Sequence, residues 1–365
     1  MDFEQGRFGL HTGRLEVRID RGAFDLRIVR VVLTTRFTAF ERRPITGFDQ
    51  LSQAIVGTRA EIVQIEPGKL RGEVLHAEIA GLPINVATFN LGLRSKGGSN
   101  KERITIGVLA ESAGRVTRAS YESRPGDVLV TPPGSEYENR YYGGASILTV
   151  MPSAAELEFA LGCDARLGAP SRWARSHFKA NSGTVHLIIP RLRLLLARLD
   201  AGDLTLTAHA AEFWRRAIIE ALTASIMERE PAERDGPLPS ALKTVRQVED
   251  YLAAQDEGPI HISHICNRLR ISRRSLHRAF HEALGIGPIS YLRSQRLCAV
   301  HAALRSSPPD KATIGDIAIQ HGFLNVGRFA QYYRELFGEL PSETRRGDGD
   351  DRRRWSQPPL DMLSA

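Results

Sequence analysis

Four basic side chains fall close together in the C-terminal third of the chain: Arg273, Arg274, His277 and Arg278. A guanidinium presents a fixed fork of donors that matches the O6 and N7 acceptors of guanine. Each such pair contributes roughly 1–3 kcal/mol of base discrimination. On a helix these four residues share one face, while Leu276, Ala279 and Phe280 occupy the other. A second group, Asn325, Val326, Arg328 and Gln331, stands further along. It reads less chemistry, because Val326 meets only a thymine methyl and Gly327 has no side chain to offer.

The elements that must position these side chains repeat. One pattern runs Ile262…Ile265-Cys266…Ile271-Ser272…Leu276…Phe280, and the other runs Ile314…Ile317-Ala318…Gly322-Phe323…Asn325…Phe329…Tyr333. Laid together, Ile262 falls on Ile314, Ile265 on Ile317 and Cys266 on Ala318. One extra residue in the second turn then brings Leu276 onto Phe329 and Phe280 onto Tyr333. The apolar stripe makes a short first helix, and the small residue beside it admits a second helix at a steep crossing angle. Ser272 and Asn325 suit the N-cap of that second helix. In a helix-turn-helix the second helix enters the major groove, with its N-terminal residues against base edges. Charge is unequal between the copies: from His261 to Arg305 there are eight Arg and one acidic residue, Glu282, whereas from Lys311 to Glu343 the signs nearly balance. Copy one is therefore expected to supply most of the base reading, with Arg273 on a phosphate and Arg274 on a base.

Gly285-Ile286-Gly287-Pro288 breaks the chain between the copies, and a helix is expected from Pro288 to Arg305, because proline is tolerated in a first helical turn. At about 1.5 Å per residue it spans ~25 Å. That length suits holding two recognition helices one DNA turn, ~34 Å, apart.

Together these residues resemble the DNA-binding domain of the AraC/XylS family of bacterial transcription regulators. The resemblance is carried from Ser240 to Arg346 by Ser272…Leu276-His277-Arg278-Ala279-Phe280, Gly285…Pro288…Tyr291-Leu292…Arg296-Leu297…Ala299, Ile317-Ala318…Gly322-Phe323 and Phe329…Tyr333-Arg334…Phe337-Gly338-Glu339…Pro341. One departure stands out: Arg270 takes the turn position that Gly322 fills in copy two. A positive φ there would strain it. The resemblance implies double-stranded DNA and RNA polymerase as partners, a small-molecule effector of unknown identity, and a homodimer.

The preceding half reads differently. Short apolar runs recur at Ile28–Leu33, Ile62–Ile65, Ile84–Leu91, Ile104–Leu109, Val128–Thr131 and Ser146–Met151. Turn signals separate them at Pro67-Gly68, Gly81-Leu82-Pro83, Lys96-Gly97-Gly98-Ser99 and Pro125-Gly126, a spacing that predicts a sandwich or jelly-roll barrel. Phe48 to Val56 reads as a helix. The stretch Pro125-Gly126-Asp127…Thr131-Pro132-Pro133-Gly134…Tyr137 resembles the second motif of cupins in its turn residues, but Tyr137 stands where metal cupins carry a histidine ligand. No metal or other cofactor is expected. Cys266 and Cys298 read as small core residues, and the His261, His264, His277 and His281 group has no ligand spacing for zinc. Arg94, Arg140, Tyr141 and Tyr142 offer charge and hydrogen bonds to an anionic ligand, yet each reads first as a surface or turn residue.

The expected architecture is thus multidomain: an N-terminal β-barrel or jelly-roll (cupin-like) plus helices, and a C-terminal all-α double helix-turn-helix domain. The expected divisions are a sensor over 1–155, a helical segment for dimerisation over 156–230, a linker over 231–239, the DNA-binding domain over 240–346 and a disordered tail over 347–365. A net charge of +7 is compatible with nucleic acid. Three scattered cysteines, Cys163, Cys266 and Cys298, suggest no disulfide framework and a cytoplasmic setting. No signal peptide or membrane span is read; the run from Val185 to Leu199 is interrupted by Pro190 and by arginines. The function expected is sequence-specific DNA binding by a transcription regulator, an activator responding to an effector held in the N-terminal domain, and not an enzyme. The alternatives are an architectural DNA-binding protein without effector, or a metal-dependent cupin enzyme.

Overall fold

The computed structural model describes residues 38–54, 59–118, 121–160, 177–179, 182–228, 240–254, 260–307 and 311–346. The Ile28–Leu33 run, Ile55 and Val56, Cys163, the 231–239 linker and the 347–365 tail lie outside them.

The N-terminal part carries β1 (Thr38–Ile45), α1 (Phe48–Ala54), β2 (Arg59–Gln64), β3 (Gly72–Ile79), β4 (Leu82–Phe89), β5 (Leu93–Gly98), β6 (Thr105–Ser112), β7 (Val116–Arg118), β8 (Tyr121–Ser123), β9 (Val128–Thr131), β10 (Glu136–Tyr141), β11 (Ala145–Val150) and, after α2 (Ala154–Ala160), β12 (His177–Phe178). A seven-stranded sheet in the order β1-β3-β4-β11-β6-β9-β12 faces a five-stranded sheet in the order β2-β5-β10-β7-β8. The pairings are antiparallel, and the result is the jelly-roll-like sandwich anticipated from the run spacing. The turn residues of the motif before β10 do what their types suggest: Gly134 has φ +68°, a left-handed conformation that reverses the chain between β9 and β10.

Lys96-Gly97-Gly98 is not a turn, contrary to the sequence reading. β5 runs through these residues, pairing with β2 on one side and β10 on the other. Pairing on both edges overrides the local preference of the glycines. The chain reverses only after them, where Asn100 Oδ1 accepts from the amides of Glu102 and Arg103, each at 2.8 Å.

Strict alternation explains how both faces of each sheet are used. On the seven-stranded sheet, Asn85, Ala87, Leu129, Thr131, Ile147 and Thr149 point between the sheets. Their neighbours Ile84, Val128, Val130, Leu148 and Val150 point outward. There they pack on α3 (Ser182–Asp200) and α4 (Ala208–Glu228) through Leu192, Leu195, Leu196, Ile218, Ile219 and Leu222. Among the described residues no helix is long and apolar enough to cross a membrane.

The C-terminal part is α5 (Ser240–Ala253), α6 (Ile262–Leu269), α7 (Arg273–Leu284), α8 (Pro288–Ser306), α9 (Ile314–Gln320), α10 (Val326–Phe337) and α11 (Pro341–Arg346). It does not stand apart from the barrel. One continuous core joins Phe48, Leu51 and Val63 to Leu276, Phe280, Tyr291, Phe329 and Phe337. His301 on α8 sits in this seam, 3 % exposed, with ring centroids 5.0 Å from Phe48 and 4.8 Å from Phe337. Asp49 and Glu339 lie 3.6 and 3.8 Å from its ring nitrogens and favour the proton, but burial, assisted by Arg305, outweighs them and lowers His301 to about 3. An unfolded histidine takes its proton near pH 6.5. Stability should therefore fall as pH drops from 6.5 toward 3, by up to about 1.4 kcal/mol per pH unit. Denaturation midpoints between pH 7 and 5 should show a shallower slope for His301→Gln than for the parent chain.

Candidate nucleic-acid interface

The two helix-turn-helix units are built by equivalent hydrogen bonds. In copy one the Ile271 amide donates to the Cys266 carbonyl at 3.0 Å, and in copy two the Phe323 amide donates to the Ala318 carbonyl at 2.9 Å. Both turns need a left-handed residue: Gly322 has φ +84° and Arg270 has φ +53°. Arginine accepts that conformation at a cost of about 1–2 kcal/mol that glycine does not incur. Arg270→Gly is expected to stabilise the chain by up to about 1 kcal/mol, offset in part by the greater freedom of unfolded glycine, as a higher midpoint in chemical denaturation would show. The extra residue of the second turn is Leu324, which is 88 % exposed.

Caps then fix where each second helix begins. Ser272 Oγ accepts from the Ser275 amide at 3.0 Å, and Asn325 Oδ1 accepts from the Arg328 amide at 2.9 Å. A capping box between Thr313 and Asp316 starts α9. Pro288 opens α8 at its first position. On α7, Leu276, Phe280 and Leu284 form a buried stripe, which leaves Arg273, Arg274 and Arg278 exposed. His277 is half-buried, its ring 6.5 Å from that of His281. On α10, Phe329, Tyr333 and Phe337 are buried, and Val326, Arg328 and Gln331 are exposed. Gln331 Nε2 donates to Glu335 Oε1 at 2.8 Å.

While the N-terminal ends of α7 and α10 carry these exposed residues, their C-terminal ends are held by the barrel. The Leu336 carbonyl near the end of α10 accepts from Gln64 Nε2 and from the Gly68 amide, both at 2.9 Å. At the end of α7 the Leu284 carbonyl accepts from Arg140 Nε at 3.4 Å. A cation is favourable there because helix C-terminal carbonyls carry partial negative charge.

A buried charge network completes the attachment. Arg94 Nη2 donates to Glu138 at 2.7 Å and to Glu249 Oε2 at 2.9 Å, and its other amino group donates to Glu249 and Tyr291. The Tyr291 hydroxyl donates to Glu249 at 2.6 Å, and Arg246 donates to Glu138 at 2.9 Å. The guanidinium beside it holds Glu138 below the usual carboxylate range against the opposing effect of burial. Burial raises the Tyr291 phenol well above its ordinary value.

These observations correct the sequence reading of the barrel. Arg94 and Arg140 are not surface residues; they are 2 % and 7 % exposed. Nor do they face the cavity between the sheets. Of the four residues picked as possible anion contacts, only Tyr141 lines that cavity. Alternation on β10 separates the roles: Tyr137, Asn139 and Tyr141 line the cavity, while Glu138 and Arg140 on the reverse face hold α5 and α7. β5 divides likewise, with Ser95 inward and Arg94 outward. The residue that sequence reasoning missed inside is Arg118. Cys266 and Cys298 are buried free thiols, with Cys298 pushed up to about 12 by burial. Among the described residues no group of three His, Cys, Asp or Glu stands where it could hold a metal.

Residues 265–347 match the model of a helix-turn-helix domain. The XylDLEGF operon transcriptional activator of Pseudomonas putida is 35 % identical over 108 residues, 30 % of this chain and 32 % of that protein. The chain thus aligns with about a third of that relative's length. The chain is also similar in structure to the AraC-like transcriptional activator CuxR, at 17 % identity and TM-score 0.38, over 72 % of this chain and 96 % of CuxR. XylDLEGF operon transcriptional activator 2 of Pseudomonas putida is matched more fully, at 30 % identity over 143 residues, 39 % of this chain and 87 % of that relative. A match across most of a relative, on a fold that carries both helix-turn-helix units, places the chain in the AraC/XylS family of transcription regulators.

Proposed function

We propose that the chain is a sequence-specific DNA-binding regulator of transcription, an activator whose N-terminal barrel senses a small molecule. The observation that carries this reading is the attachment of both recognition helices, at their C-terminal ends, to the sheet that forms one wall of the cavity. A ligand that fits the cavity differently in two arrangements of that sheet biases the placement of α7 and α10, which is the differential binding a switch requires. Arg273, Arg274, His277 and Arg278 of copy one, with Asn325, Val326, Arg328 and Gln331 of copy two, form the DNA-facing set.

The working divisions are the sensor to residue 155, helices over 156–230 for pairing with a second copy, a linker over 231–239 and the DNA-binding domain over 240–346. Leu187 and Leu194 on α3 and Phe213 on α4, 59 %, 63 % and 63 % exposed, support a second copy as the partner of that layer. RNA polymerase is the further partner, and no catalysis is assigned to the barrel.

The test is binding of the full chain to DNA enriched from a random pool and to unrelated DNA, across a salt series. Affinity for both should fall with a log–log slope of about −0.9 per phosphate contact, with the enriched sequence bound more tightly throughout. Arg273→Ala should weaken both DNAs alike; equal affinity for both DNAs in the parent chain would count against the proposal.

A further inference from the structure

The cavity between the sheets has an unusual charge inventory. Among the described residues its walls hold one cation, Arg118, and no carboxylate. Arg118 ends β7, opposite Asn139 of β10. Its Nη2 donates to the Thr131 hydroxyl and to the Val130 carbonyl, the latter at 3.4 Å, and both acceptors are neutral. Among the described residues no acidic group pairs with it. The ionisable groups that act on it are the phenols of Tyr141 and Tyr137, and burial keeps the Tyr141 phenol protonated. Burial lowers Arg118 to about 10, so it remains a cation at neutral pH. Arg118 is half-buried, and a charge even partly withdrawn from water without a counter-charge is costly, so proteins ordinarily pair it.

Two further polar groups in the same walls lack partners. Thr105 Oγ1 and Asn139 Oδ1 are buried and make no hydrogen bond among the described residues. The rest of the lining is chiefly apolar, including Val74, Ala87, Leu109 and Ile147. The cavity volume is about 130 Å³. An apolar cavity of about 150 Å³ admits benzene, which sets the size of the body that fits.

We propose that this cavity binds a small organic acid as its monoanion, with the carboxylate on Arg118 and a compact apolar body of about six carbons against the facing sheet. A single cation fits one negative charge; a second would be buried unpaired, and a neutral ligand would leave the guanidinium uncompensated. The Thr105 hydroxyl supplies a further donor to the carboxylate and orients the acid, while Asn139 Oδ1, an acceptor, takes no part in holding the anion. The proposal rests on the reading of the barrel as the sensor.

The experiment is calorimetric titration of the full chain with hexanoate, cyclohexanecarboxylate and benzoate, each against its primary amide. At least one acid should bind one to one, with its amide at least about tenfold weaker. Arg118→Gln should weaken that acid roughly 10- to 100-fold, and Arg118→Lys should recover part of the loss. Amides binding as well as acids, an acid indifferent to Arg118→Gln, or no binding by any of the three acids would each overturn the proposal. The acid–amide comparison uses the parent chain and stands even if Arg118→Gln fails to fold. An acid that binds through Arg118 yet leaves DNA affinity and activation unchanged would uphold the anion site while contradicting the sensor reading.

Discussion

Replacing Arg94 with methionine is expected to cost the folded chain about 3–5 kcal/mol, the range for breaking a buried ion pair by removing one partner. Arg94, Glu138 and Glu249 are 2 %, 5 % and 9 % exposed in their side chains, so water cannot take over the lost bonds. Without the guanidinium, Glu138 keeps Arg246 at 2.9 Å, and among the described residues Glu249 keeps Tyr291 and the more distant Lys96 at 3.7 Å. Two carboxylates are then left close together and under-compensated. Chemical denaturation measures the loss. Because the network joins β5 and β10 to α5 and α8, Arg94→Met should also raise protease sensitivity between the barrel and the helices. A change under about 1 kcal/mol would mean that the docked arrangement is not what these charges hold.

Arg274→Ala should weaken binding to the enriched DNA by roughly 1–3 kcal/mol and relax preference at one base position. Arg328→Ala should cost less. The structure supplies the reason for the difference in the elements around each residue. Arg274 is flanked on the exposed face by Arg273 and Arg278, and α7 carries no acidic residue before Glu282. Arg328 shares its surface with Val326 and Gln331, and the Gln331 side chain is engaged with Glu335. Affinities of the two variants on the same DNA decide the matter; a larger loss at Arg328 would shift the principal base reading to copy two.

The helix-turn-helix units were legible because everything that builds them is local. Apolar spacing, the caps Ser272 and Asn325, the glycine at 322 and the proline at 288 act within a few residues of themselves. Even the strained turn at Arg270 was visible as a mismatch between copies. The barrel was legible as a class, through its apolar runs, while β5 was hidden behind two glycines whose strand is imposed by its neighbours. The attachment between barrel and helices was not legible at all. Arg94 meets Glu249 and Tyr291 across separations of 155 and 197 residues, and nothing in local pattern joins them. A clue did exist in Tyr137-Glu138-Asn139-Arg140-Tyr141, where charged residues alternate with uncharged ones on a strand that is nowhere fully exposed except at its start. Such a segment requires partners on both faces. The sequence reading took Arg140 and Tyr141 as equivalent, whereas a period of two places them on opposite sides of the sheet.

The central claim is that two recognition helices held on one sheet read one stretch of DNA. Its most direct test is genome-wide occupancy of the full chain, followed by hydroxyl-radical footprinting of the strongest site. The predicted result is an asymmetric footprint with protection in two consecutive major grooves on one face of the duplex, about 34 Å apart. Protection confined to a single groove, or no enriched site with or without an acid that the barrel binds, would contradict it.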